Sequence, residues 1–142
     1  MLFDYPITLT AEKPSGFVIT FVDLPEAMTS SETEDELDIF TVAQDALDEA
    51  IAGRMIRAES IPLPSLSTQG QMRVPLSAQM AAKAALYVAM KESGFSKSDL
   101  ADELQCDEKE ARRLLDPHHP SKLPRIEQAL ACLGRHLVVG VV

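Results

Sequence analysis

Along residues 2–10, apolar and polar positions alternate. Phe3, Tyr5, Ile7 and Leu9 fall on one face, with Asp4, Thr8 and Thr10 on the other, and this pattern predicts a β-strand. Pro6 has no N–H to give to a ladder, so the strand is either a sheet edge or holds Pro6 at an outward-facing position. Lys13-Pro14-Ser15-Gly16 reads as a turn. A second alternating run over 17–22 turns Phe17, Ile19 and Phe21 inward and closes a hairpin. Residues 23–26 form a loop, and 27–30 can make a short third strand. The period then changes. Thr33, with Glu36 three residues on, gives a capping box, and Leu37, Phe40, Leu47, Ala50 and Ile51 make a helical stripe ending at Gly53 or over 57–59. The prolines at 62 and 64 exclude helix over 61–70, and residues 71–74 predict a fourth strand closed by Pro75. The first module is thus β-β-β-α-β, an α+β layer.

From Ser77 the pattern is helical throughout. Ser77 caps a helix whose inward side is Met80, Ala84, Tyr87, Val88 and Met90, stopped at Gly94. Ser96 with Asp99 caps a short helix bearing Leu100, Ala101 and Leu104. Asp107 with Glu110 caps another, burying Ala111 and Leu114. Residues 116–120 are a loop. Pro124 opens a last helix with Ile126, Leu130 and Leu133, ended by Gly134. The tail 137–142 is apolar and β-prone. It either folds back on its own chain or pairs with its copy across a two-fold axis. The boundary predicted from these patterns separates 1–75 from 76–142.

Charge sharpens that division. The chain of 142 residues carries 13 basic and 22 acidic side chains, a net −9. Residues 1–70 hold 13 acidic against three basic residues, or −10, whereas 71–142 hold nine against ten, or +1. An anionic first half is repelled by nucleic acid and attracted to a basic partner. The composition, 46% apolar and 25% charged, is that of a folded domain. No apolar run is long enough to span a membrane and no secretory signal is visible. Two cysteines, Cys106 and Cys132, do not make a disulfide scaffold, so a reduced, cytoplasmic protein is expected.

The residues of 97–115 carry the clearest chemistry. Two short helices, a tight turn at Gln105-Cys106, a small residue (Ala101) at the crossing and apolar anchors (Ala111, Leu114) match a helix-turn-helix. Its second helix would present Glu108, Lys109, Arg112 and Arg113, with Lys97 and Lys122 flanking on phosphates. Arginine suits guanine in the major groove and a carboxylate suits cytosine. The turn position favours a left-handed backbone, where Gln105 replaces the usual glycine. In the first half, Asp4, Glu12, Asp23 and Glu26 raise the alternative of a metal-dependent nucleic-acid-processing enzyme, but none takes an inward mid-strand position and no basic residue stands ready for phosphate. His118, His119 and the cysteines match no zinc spacing, so no cofactor is expected. A stand-alone, ligand-sensing repressor is the third reading.

The order Tyr5-Pro6-Ile7, Gly16-Phe17-Val18, Phe21-Val22-Asp23-Leu24-Pro25-Glu26-Ala27-Met28-Thr29, the helix opened at Thr33, Ile61-Pro62-Leu63-Pro64-Ser65 and Arg73-Val74-Pro75 resembles the HicB antitoxins. The second half, with Ser96-Lys97-Ser98-Asp99-Leu100-Ala101 and Arg112-Arg113-Leu114-Leu115-Asp116-Pro117, resembles the Cro/repressor-type helix-turn-helix of one branch of that family. The pattern departs at Glu26-Ala27, where the family usually has Gly-Cys. The resemblance implies a degraded RNase H-like first module without catalytic carboxylates. It implies a partner, the HicA-type toxin, a small basic protein that cleaves mRNA, and repression of the chain's own operon through operator DNA. The apolar tail and the two-fold symmetry of operators add the expectation of a homodimer or higher oligomer. Toxin contact is expected on Asp23, Leu24, Pro25 and Glu26.

Overall fold

The computed structural model describes residues 1–141. The chain forms two compact units, Met1–Arg54 with Ile61–Ser77, and Met55–Ser60 with Ala78–Val142.

The first unit is the expected β-β-β-α-β. Strands β1 (Asp4–Ala11), β2 (Phe17–Phe21) and β3 (Thr29–Ser31) precede helix α1 (Glu36–Ile56), and β4 (Arg73–Pro75) follows it. The sheet is antiparallel, in the order β3-β2-β1-β4. Tyr5, Ile7, Ile19 and Phe21 are buried, as the alternation predicts. On α1 the buried residues Ile39, Ala43, Leu47 and Ile51 recur every fourth position, a stripe one face of a helix provides.

The structure decides one open choice and corrects two expectations. β1 lies inside the sheet, so Pro6 is not on an edge strand. Ile7 sends its N–H to Met72 O, on the β4 side, at 3.0 Å. Successive residues alternate in direction, so the Pro6 nitrogen points toward β2, beyond the last pair Ile7↔Phe21. No ladder bond is lost there. The cap of α1 is Asp35 rather than Thr33: its Oδ1 accepts from Leu37 N and Asp38 N, and Thr33 Oγ1 donates instead to Asp38 Oδ2. Leu37, assigned to the inward stripe, is 72% exposed. The helix runs through Gly53 and ends at Ile56, with Ala58 in a left-handed conformation.

Polar clamps secure the short strands. The Arg73 guanidinium donates to Asp4 O, Asp4 Oδ2, Ser65 O and Ser67 Oγ. Gln44 Nε2 on α1 donates to Pro75 O, and Asp48 Oδ1 accepts from Ser77 N. Gly16 is irreplaceable in its turn: φ is +93°, and a Cβ would lie 2.0 Å from Ser31 O.

The second unit holds α2 (Ala78–Ser93), α3 (Lys97–Leu104), α4 (Glu108–Leu115) and α5 (Leu123–Cys132). Its core joins Leu86, Met90, Leu100, Ala101, Ala111, Leu114, Ile126 and Leu130. Tyr87 and Val88, expected inside, are half-buried, and Leu86 takes the core position. Residues 135–141 form no strand. Leu137 packs against the core, while Val138, Val139 and Val141 are exposed and Val142 lies outside the described residues.

The phenol of Tyr5 is buried and donates to Pro62 O at 2.8 Å. Burial first, then the nearby Asp23 charge, pushes its pKa from 10.0 up to about 12, against a smaller lowering by Arg54. A raised folded-state value means stability that is present below pH 10 and lost as pH climbs toward 12. Thermal unfolding of the Tyr5→Phe variant should therefore lie below wild type by about 1 kcal/mol at neutral pH, and the difference should shrink above pH 10.

Candidate functional site

The helix pair α3–α4 is built as its sequence dictates. Ser96 Oγ accepts from Asp99 N and Asp99 Oδ2 accepts from Ser96 N, completing the capping box. These bonds hold the Asp99 carboxyl below its ordinary pKa. Gln105 ends α3 at φ 54°, ψ 45°, the left-handed conformation expected of that position. Its N–H reaches Asp102 O at 3.2 Å and the Cys106 N–H reaches Ala101 O at 3.0 Å, so the turn is a Schellman motif made without glycine. Asp107 caps α4 by accepting from Glu110 N at 2.7 Å.

Leu100, Ala101, Ala111 and Leu114 are buried between the helices, which leaves Glu108, Lys109, Arg112 and Arg113 exposed on α4. Arg112 stands 4.0 Å from Glu108, an exposed pair one turn apart. Among the described residues no carboxylate pairs with Lys97, Lys109, Arg113 or Lys122, so these charges are open to an anionic ligand. Arg125 on α5 bonds Glu110 at 2.9 Å and removes that acid from the open face.

Lys83 is the residue the sequence concealed. It sits on α2 with no accessible surface, and its Nζ donates to Arg113 O, Asp116 O and Ser121 Oγ at 3.0, 2.6 and 3.0 Å. A cation thus closes the C-terminal end of α4, where free carbonyls and the helix dipole favour positive charge. Burial lowers its pKa and Asp116 partly offsets this. A lone lysine in an apolar helix gives a sequence reader only the sign of the charge; its acceptors are distant in the chain.

The Asp23–Glu26 loop of the first unit divides in two. Leu24 is fully buried. Asp23 accepts from Ser65 N at 2.9 Å and from Ser65 Oγ, fastening the extended segment 61–70. Pro25 and Glu26 are exposed, with Glu26 bonded to Arg54. Thus Pro25 and Glu26 face outward, while Asp23 and Leu24 shape the loop from within. Asp4, a candidate metal ligand, is engaged by Arg73. Among the described residues no three His, Cys, Asp or Glu side chains gather as metal ligands, and no helix is long and apolar enough to cross a membrane.

Gln105→Gly should raise the stability of the chain by about 1 kcal/mol, because glycine adopts the left-handed turn without a Cβ penalty. Chemical denaturation checks this, and an unchanged midpoint would show that the turn holds no strain.

Residues 4–85 match the family described as HicB-like antitoxin of bacterial toxin–antitoxin systems. The chain is 36% identical over 140 residues to an antitoxin HicB of Escherichia coli K12, covering 97% of this chain and 99% of that one. It is 32% identical over 143 residues to an antitoxin HicB of Pseudomonas fluorescens, covering 99% and 95%. It is 30% identical over 137 residues to antitoxin HicB 1 of Photorhabdus laumondii, covering 96% and 86%. With a match over more than half its length and relatives aligned nearly end to end, the chain belongs to the HicB-like antitoxins of bacterial toxin–antitoxin systems.

Proposed function

We propose that this antitoxin works as two modules. Residues 1–75 bind and occlude a basic, HicA-type mRNA-cleaving toxin, and residues 76–142 bind operator DNA and repress the operon as a homodimer or higher oligomer. The observation that carries this reading is the division of charge along the chain, −10 over residues 1–70 and +1 over 71–142, alongside its division into two compact units. An anionic surface competes with RNA for a basic protein and speeds their encounter. A near-neutral helical unit with its cations gathered on α4 and its flanks can approach a phosphate backbone.

The role is regulatory rather than enzymatic. Of the four carboxylates a metal-dependent enzyme would draw on, Asp4, Asp23 and Glu26 are bonded to Arg73, Ser65 and Arg54. Against a ligand-sensing repressor stands membership in a family of antitoxins. The site in the cytoplasm follows from the partners, an mRNA-cleaving protein and an operator.

Arg112→Ala and Arg113→Ala should each reduce operator binding in a gel-shift assay by at least about fivefold, about 1–3 kcal/mol of lost contact, while leaving growth protection against the toxin intact. Loss of protection in either variant would show that the modules do not act separately. Removing residues 137–142 should lower the mass seen by light scattering from the oligomer to the monomer and weaken DNA binding; an unchanged mass would rule out pairing of the tails.

A further inference from the structure

We propose that residues 8–11 of β1 are an open sheet edge onto which an extended, basic segment of the toxin adds as a further strand. The proposal rests on the antitoxin reading above and names the surface through which it acts.

β1 runs to Ala11, but β4 pairs only with Asp4, Tyr5 and Pro6, and its side of the ladder ends with the Ile7 N–H bond to Met72 O. Gln71 Nε2 then takes Ile7 O. Because Ile7 points both main-chain groups toward β4, Leu9 and Ala11 point theirs the same way, past the end of that strand. Among the described residues nothing bonds them there. Natural sheets guard such an edge with a charge, a proline or a covering loop. Thr8-Leu9-Thr10-Ala11 carries no charge and no proline, and Thr8, Thr10 and Ala11 are exposed.

A cleft of about 540 Å3 lies along this edge, lined by Ile7, Leu9, Glu36, Thr68, Gln71 and Met72 among others. A shallower hollow continues it past Glu36 to Leu37, Phe40 and Met72. Leu37 is 72% exposed although its helix has a full apolar stripe elsewhere. An added strand would set alternate side chains into this hollow, against Leu9, Met72, Leu37 and Phe40, and its main chain would meet Leu9 and Ala11. The rim selects the sign of the occupant. Glu36 lines both hollows, and Glu34, Asp35 and Asp38 stand beside it at the start of α1, with Glu12 at the far end of β1. A strand with lysine or arginine at its rim positions fits this edge, and an acidic one is repelled.

The test uses the full chain and, as probe, a HicA-type toxin. By NMR hydrogen exchange, the Leu9 and Ala11 amides should exchange freely in the chain alone and at least tenfold more slowly in the complex. Ala11→Pro removes an N–H that the β1–β2 ladder does not use, and should weaken toxin binding about tenfold in calorimetry. Leu37→Lys, on the rim of the hollow, should do the same without touching the strand, and decides the matter if Ala11→Pro fails to fold. Toxin that binds with both amides still unprotected and Leu37→Lys without effect would overturn the edge while leaving the antitoxin reading standing. Protection of the amides in the chain alone, with a doubled mass, would give the edge to a second copy and also overturn it. No binding of the probe by wild type would defeat both readings.

Discussion

The structure rests on one demand, that main-chain groups removed from water find partners. Its elements are short. Two of the four strands have three residues each, and α3 and α4 have eight. Elements of that size leave most of their N–H and C=O groups at ends, where no neighbouring turn can serve them. The chain answers with charged side chains. Asp35, Asp99 and Asp107 take helix N-termini, Asp23 and Asp48 take the amides of Ser65 and Ser77, Arg73 gathers carbonyls of Asp4 and Ser65, and Lys83 takes those at the end of α4. Many of the charges that make the sequence look ready for partners are therefore occupied in holding the backbone. Against that background the unserved main chain of Leu9 and Ala11 stands out as a choice rather than an oversight.

Hydrogen bonds from amides favour the ionised form of a carboxyl and burial disfavours it. At the exposed Asp99 the bonds from Ser96 win and the pKa is lowered, whereas at Asp48 burial outweighs the bond from Ser77 and the pKa is raised. In the first unit, acidic side chains such as Asp23 and Asp35 serve the backbone in a segment that is also strongly acidic in composition. This reconciles an acidic half with a folded one. Self-repulsion at the start of α1, where Glu34, Asp35, Glu36 and Asp38 crowd together, is offset by the positive end of the helix dipole and by the bonds to Leu37 N and Asp38 N.

What the sequence made legible follows the range of the interactions. Strand alternation, the helix stops at Gly94 and Gly134, the Ser96–Asp99 box and the left-handed turn at Gln105 are decided within five or six residues, and each emerged in place. The cap of α1 is ambiguous in the sequence because Thr33, Glu34 and Asp35 all offer an oxygen near the same turn; in the fold Asp35 takes the helix amides, while Thr33 is bonded through its main chain to Ser31 at the end of β3. Leu37 reads as inward because its spacing to Phe40 and Leu47 is helical; the buried stripe, Ile39-Ala43-Leu47-Ile51, keeps Leu47 and Ile51 but begins at Ile39 and passes through Ala43, a small residue that a hydrophobicity reading undervalues. Lys83, the Asp23–Ser65 clamp and the Arg73 hub join positions 30, 42 and 69 residues apart, and no local pattern announces them.

Lys83 also bears on the proposed contact of α4 with DNA. Arg113 lends its side chain to the open face and its carbonyl to the buried ammonium. The backbone that carries the arginine is therefore held from inside the unit, by a residue that never reaches the surface. A helix of eight residues has little stiffness of its own, since propagation beyond a costly nucleus is what stabilises helices. Its rigidity must come from the ends, Asp107 at one and Lys83 at the other, with Ala111 and Leu114 packed between. Recognition of a groove by a few side chains needs their Cα positions fixed beforehand, because ordering them on binding would cost part of each contact. In this chain that ordering is done by two capped ends, Asp107 at the surface and Lys83 from within, so the arginines are presented by the fold itself.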